Sequence, residues 1–132
     1  MKEDTLYNIL IVITLIAIIA VLVLIFTTKT TESFTELYFE NHENLPTTFQ
    51  AQEFTFTIHN LENTNTEYNY KTTIEYFTSI GKTVKTQTIQ EDTITLAHNE
   101  TQSIDITFTP ETYASAKVTT TVNDQEIHYW LK

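Results

Sequence analysis

Cysteine and arginine are absent from this 132-residue chain, glycine occurs once (Gly81) and proline twice (Pro46 and Pro110). Without cysteine there is no disulfide, no thiolate nucleophile, no Cys-based metal centre and no lipid-modified N-terminal cysteine. A single glycine rules out the G-x-S-x-G elbow, the P-loop and the G-x-G-x-x-G dinucleotide turn, each of which needs at least two. With no arginine and seven scattered lysines against 17 acidic residues, no cationic patch can form against a phosphate backbone. We expect no nucleic-acid partner and no cofactor.

What the chain does have is an uncharged run, Leu6 to Phe26 (LYNILIVITLIAIIAVLVLIF), in which sixteen of 21 residues are Leu, Ile, Val or Phe. At about 1.5 Å rise per residue such a helix covers the ~30 Å hydrocarbon core, and a helix alone satisfies its own backbone there. The run is longer than the apolar core of a secretory signal, and the sequence after it (TTKTTES) has no A-x-A-like cleavage pair. These features predict an uncleaved signal anchor: a tail at 1–5, a transmembrane helix at 6–26 and a polar linker at 27–33. The linker reaches at most about 25 Å when extended. Lys2 on one flank and Lys29 on the other barely bias the orientation. The 15 acidic residues after the run, and the N-glycosylation sequon Asn99-Glu100-Thr101, point the C-terminal part out of the cytoplasm. The expected location is therefore the cell membrane, single-pass, with an extracytoplasmic domain.

Residues 34–132 suffice for one core. Threonine is the commonest residue, and the period-two pattern of a half-buried strand recurs. Phe54, Phe56 and Ile58 alternate with Thr55, Thr57 and His59. Tyr68, Tyr70, Thr72, Ile74 and Tyr76 alternate with Asn69, Lys71, Thr73, Glu75 and Phe77. Ile104-x-Ile106-x-Phe108, Val118-x-Thr120-x-Val122 and Ile127-x-Tyr129-x-Leu131 follow suit. Weaker strands are expected at 34–40, 82–90 and 93–96. Turn-forming residues separate them, including Asn123-Asp124, a pair suited to a two-residue hairpin. The expected fold is an all-β, immunoglobulin-like antiparallel sandwich of seven to eight strands behind one transmembrane helix, with an aromatic core in place of the antibody disulfide.

The segments FTFTIHNLENTNTEYNYKTTIEYF and TITLAHNETQSIDITFTPETYASAKVTTTVNDQEI resemble the strand pattern of prokaryotic surface Ig-like modules of the CARDB kind. In that pattern a strand ends in Asn, and a later L-x-x-x-E-x-x-x-I-x-I-x-F-x-P leads into the final hairpin. FTELYFE, Pro46, HNLE and the Tyr-rich strand resemble more closely a mainly archaeal membrane-protein family, the domain of unknown function DUF1616. The resemblance implies a fold and an envelope location, and no activity. Ala97-His98-Asn99 stands where such modules usually place a glycine at the turn.

His42, His59, His98 and His128 are dispersed, form no metal-ligand spacing, and read as solvated residues. Glu91-Asp92, Asp105 and Asp124 with Glu126 are carboxylates of the kind that hold calcium, but no calcium-loop motif surrounds them, and an acidic surface is the simpler reading. If Ile127, Tyr129 and Leu131 face the core, His128 and Trp130 share the outer face of the last strand, where an exposed tryptophan is a typical interface anchor. In the apolar run Thr14, Ala17 and Ala20 recur at three-residue spacing, which would let a second helix, including one from another copy, approach closely. The expected role is therefore a non-catalytic binding or assembly module. Its partners are the lipid bilayer and an envelope protein or glycan. The alternative is a filament subunit, since archaeal pilins and archaellins also join an apolar helix to a β-sandwich. Their leaders end in a basic and a small residue, where this chain has Glu3-Asp4-Thr5.

Overall fold

A computed structural model describes residues 2–27 and 33–132 as two units, one helical and one, Ser33 to Lys132, built of strands. The helix, α1, spans Lys2–Thr27. It starts four residues before the apolar run, so Lys2 to Thr5, expected as a tail, form its first turn. Glu3 and Asp4 lie there against the positive end of the helix dipole. Of the linker expected at 27–33, only its two ends fall within the described residues.

No side chain of α1 is buried, and the helix is apolar on every side, a pattern that water does not tolerate and lipid does. It is long and apolar enough to cross a membrane. Two of its hydroxyls are satisfied within the helix: Thr14 Oγ1 donates to Leu10 O at 2.8 Å and Thr27 Oγ1 to Val23 O at 2.8 Å.

The second unit is mostly strand: β1 (Phe34–Phe39), β2 (Gln52–Leu61), β3 (Thr66–Phe77), β4 (Thr83–Leu96), β5 (Thr101–Phe108), β6 (Ser115–Val122) and β7 (Gln125–Leu131). They form two antiparallel sheets, β1-β2-β5 and β4-β3-β6-β7. The two strands expected at 82–90 and 93–96 are one. Glu91 and Asp92 stay in register with Lys71 and Tyr70, and the nearest slip of the ladder falls at Ile89, the residue left between the pairs Thr72–Gln90 and Thr73–Thr88, with a second at Val84, between Tyr76–Lys85 and Phe77–Thr83. These slips bend β4 without ending it, so no eighth strand forms among the described residues.

The inner faces carry the alternating residues read from the sequence. Phe54, Phe56, Ile58, Ile104 and Ile106 come from one sheet, and Tyr68, Tyr70, Ile74, Tyr76, Val118, Val122, Tyr129 and Leu131 from the other; all are buried. Rings cross between the sheets edge to face: Phe54 meets Tyr129 at 5.3 Å and Phe56 meets Tyr70 at 5.5 Å. Such pairs add about 0.5–1.5 kcal/mol to the burial of their area. Burial pushes the Tyr129 phenol well above its ordinary pKa.

Turns carry the mark of glycine scarcity. Asn41, Asn63, Asn99 and Asn123 all take positive φ, between 51° and 64°, alongside Gly81 at 77°. Asparagine tolerates the left-handed region because its short carboxamide bonds locally. Asn123 does this in the β6–β7 hairpin: its Oδ1 accepts from Asn69 N at 3.0 Å and its Nδ2 donates to Glu67 O at 3.2 Å, clamping the turn to β3.

One polar pair sits inside the core. Thr72 and Thr120 are opposite each other on β3 and β6, fully buried, with hydroxyls 2.9 Å apart. Replacing either by valine should cost about 1–2 kcal/mol, because the remaining hydroxyl loses its buried partner. The double variant should return to within about 0.5 kcal/mol of the parent, and chemical denaturation of the full chain in detergent measures the cycle.

Candidate interaction surfaces

The outer face of the β1-β2-β5 sheet holds a chain of polar contacts assembled from four segments. The register aligns Glu36 with His59 and Thr101, and Tyr38 with Thr57 and Ser103. His59 uses both ring nitrogens: Nδ1 lies 2.9 Å from Glu36 Oε2, and Nε2 lies 3.1 Å from Asn99 Oδ1 on the β4–β5 turn. Both partner atoms are acceptors, so the imidazolium form, in which both nitrogens donate, is the one that satisfies both contacts. The Glu36 bond first, and then the Asn99 bond, raise the His59 pKa above its ordinary value.

One row further along, Glu40 Oε1 accepts from Thr57 Oγ1 at 2.5 Å and from Ser103 Oγ at 2.6 Å, and Thr55 Oγ1 donates to Asp105 Oδ1 at 2.6 Å. The Ser103 bond, followed by that of Thr57, holds the Glu40 carboxyl below its ordinary pKa. Although Thr57 points outward, it is only 1% exposed, being enclosed by this network.

His59 stability linkage has a definite sign. A pKa raised by folding contributes stability that is complete below the unfolded value near 6.5 and is lost as pH rises through the folded value. The thermal midpoint of the full chain should therefore exceed that of His59→Ala most at pH 5.5, with the gap closing by pH 8.5.

On the other sheet β7 takes the register that the sequence left as a condition. Tyr129 and Leu131 are buried, while His128 and Trp130 face out. Trp130 is 41% exposed and lies against Phe77 of β3, ring centres 5.4 Å apart. Beside the opposite end of that sheet lies an open depression of about 680 Å³ lined by Asn69, Lys71, Glu91, Asp92, Thr93 and Asn123, among others. Its carboxylates are engaged: Glu91 pairs with Lys71 at 3.4 Å, and Asp92 accepts from Thr93 N. Among the described residues no three His, Asp or Glu side chains converge on a metal-sized site.

No family model and no curated protein matches this chain. Solved structures do. A β-glucosidase from Listeria innocua in complex with gluconolactone matches with a TM-score of 0.57 at 12% identity, over 76% of this chain and 16% of that one. A β-glucosidase from Erythrobacter marinus gives 0.57 at 7% identity, over 75% and 15%. The alkylpurine DNA glycosylase AlkC of Pseudomonas fluorescens, bound to DNA containing an abasic site analog, gives 0.53 at 13% identity, over 74% and 30%. The chain thus spans about a sixth of the glucosidases it matches, and at these identities the likeness is one of fold.

The residues singled out from sequence fall in separate places. Thr14, Ala17 and Ala20 are exposed on α1, with the Thr14 hydroxyl turned back onto its own helix. Asn99 is exposed on the β4–β5 turn, at the end where the chain enters the second unit, whereas Trp130 lies near the opposite end. Sequence reading treated all four histidines as solvated. In fact His59 is held at both nitrogens and His98 Nδ1 accepts from Asn63 N at 3.2 Å. Phe77, as the support of Trp130, and the Glu40–Thr57–Ser103 cluster were missed. Their members are 17 to 63 residues apart in the chain, and only strand register joins them.

Proposed function

We propose that this protein is a single-pass, membrane-anchored, outward-facing immunoglobulin-like module without catalysis, serving binding or assembly at the cell envelope. The observation that carries the reading is α1: its stretch from Leu6 to Phe26 is uncharged and apolar on every side, no side chain of the helix is buried, and such a surface requires lipid or another helix around it. The sheet orders β1-β2-β5 and β4-β3-β6-β7 support the immunoglobulin-like assignment. They are a seven-strand sandwich in which the fourth strand joins the C-F-G-type sheet rather than the A-B-E-type one. The net charge of −10 suits a domain kept off anionic headgroups.

The contact surface we favour is the outer face of β7. Phe77 backs Trp130, so the indole is already ordered before binding, and His128 lies two residues along the same face. An envelope protein in the same membrane is the partner such an anchor fits. The chain has no cysteine, so Thr107→Cys on exposed β5 provides a single label site. An impermeant maleimide should modify it on intact cells, and labelling only after lysis would reverse the orientation. Co-purification from gentle detergent should yield an envelope protein whose recovery falls about 30-fold in Trp130→Ala/His128→Ala, the effect of a hot spot worth about 2 kcal/mol. Unchanged recovery would remove β7 as the surface.

A further inference from the structure

The sequon at Asn99 carries little weight as a motif. Thr and Ser fill 32 of 132 positions, so about two of the nine asparagines would meet N-x-[ST] by chance, and one does. Its position in the fold carries more.

Asn99 lies on the turn that passes from β4 of one sheet to β5 of the other. Glu100 N donates to Ala97 O at 3.0 Å, the Glu100 carboxylate accepts from Ala97 N at 2.7 Å, and Asn99 N donates to Asn60 O at 2.6 Å. The turn is thus braced at three points and has Asn99 at φ 64°. Ala97 to Thr101 are all exposed. The sequon is therefore a rigid, solvent-facing corner.

The carboxamide is oriented as well. Its oxygen is taken by His59 Nε2, and its nitrogen makes no hydrogen bond among the described residues. Asn60 and Asn123 differ here, for each commits both carboxamide atoms to backbone groups. Asn99 alone combines the sequon with an exposed, unengaged Nδ2.

We propose that Asn99 is a glycan attachment site, with Nδ2 the acceptor nitrogen and a lipid-linked glycosyl phosphate the donor. Nδ2 forms a bond to the anomeric carbon, the bond from that carbon to the phosphate oxygen breaks, and the phosphate leaves with the electron pair. One amide proton passes to a base of the transferring enzyme, and nothing is oxidised or reduced. The product amide keeps its oxygen, so the His59–Glu36 clasp survives the modification. The proposal rests on the outward orientation of the domain, because glycan transfer of this kind takes place on that side.

The test is mass spectrometry of the full-length protein purified from membranes of the cells that make it. Cleavage after Lys85 and Lys117 releases residues 86–117, which contain Asn99. The expected result is a population of this peptide heavier by whole sugar residues. The increment should vanish in Asn99→Asp, which keeps an acceptor for His59 and tolerates positive φ, and in Thr101→Val, while Thr101→Ser retains it. An unmodified peptide from a domain whose Thr107→Cys is labelled on intact cells overturns the site and leaves the outward reading standing. An unmodified peptide from a domain labelled only after lysis overturns both. Sugar that persists in Asn99→Asp assigns the modification to a threonine or serine hydroxyl and also overturns the proposal.

Discussion

Asn60→Leu should destabilise the strand unit by about 3–5 kcal/mol and lower its thermal midpoint by roughly 12–40 °C, at about 4–8 °C per kcal/mol for a unit this size. Asn60 is completely buried at the end of β2, and its side chain serves three backbone groups. Nδ2 donates to Thr64 O and to Leu96 O, both at 2.8 Å, and Oδ1 accepts from Glu62 N at 2.9 Å. One carboxamide thus joins the β2–β3 loop to the last residue of β4, in the opposite sheet. Its own backbone extends the join, since Asn60 N donates to Glu100 O at 2.9 Å. Leucine matches asparagine in branching and heavy-atom count but is bulkier, and it leaves all three groups short of a partner, so the variant measures lost hydrogen bonding with some overpacking and no cavity.

A second substitution separates donor from acceptor. In Asn60→Asp the acceptor for Glu62 N remains, while an anionic oxygen faces two carbonyls. At neutral pH this variant should be at least as unstable as the leucine one, and it should recover as pH falls and the carboxyl gains a proton to donate. Folding raises the pKa of this acid, so its stability contribution is lost as pH rises. Parallel thermal scans of the full chain in detergent at pH 4.5 and pH 7.5 give the comparison. Equal midpoints for both variants at both pH values would show that a donor regained at this position restores nothing, and would overturn the assignment of the loss to the buried bonds.

Three charges placed in the middle of α1 should take the protein out of the membrane. Sixteen strongly apolar residues at about 0.3–0.6 kcal/mol each favour insertion by about 5–10 kcal/mol. One arginine at Ile16 costs about 3 kcal/mol and should leave the chain inserted. With Ile13→Arg as well, both costs and the lost apolar gain bring the balance near zero, and a third change at Ile19 makes it unfavourable. Alkaline carbonate extraction of membranes should recover the single variant in the pellet, the double divided between pellet and supernatant, and the triple in the supernatant. Retention of the triple variant would mean that helix contacts within a larger assembly, rather than lipid, hold α1.

The alternation Phe54-x-Phe56-x-Ile58 placed three consecutive inward residues correctly, and the same holds for Tyr68 to Tyr76, Ile104 to Ile106 and Tyr129 to Leu131. Period two needs nothing but the pleat, so it survives any arrangement of strands. Where the reading broke one strand into two, it left the adjacent acids Glu91 and Asp92 outside both. In the sheet the edge position of β4 leaves both solvated, and Lys71 sits opposite Glu91. Composition penalised a strand that only its neighbour could justify.

The outer faces show the same division. Trp130 was placed on the outer face only on condition that Tyr129 and Leu131 point inward, and sequence does not fix the register of a terminal strand, where a one-residue slip exchanges the faces. Its support, Phe77, lies 53 positions earlier, and β6 stands between the two strands. His59 looked like any other polar residue on an alternating strand. What makes it different is a carboxylate from β1 and a carboxamide from the β4–β5 turn, 23 and 40 residues away.

By itself the sequence determined that one segment is a membrane-length apolar helix, that the rest is β, and which residues of the clearly alternating strands share a face. These are local consequences of side-chain chemistry and of the pitch of helix and strand. Only the tertiary structure decided which strands share a sheet, that β4 runs unbroken, that Asn60 and Thr72 are buried polar joints, and that Asn99 presents its nitrogen to solvent while His59 holds its oxygen. Those facts depend on contacts between residues far apart in the chain, whose register no local pattern records.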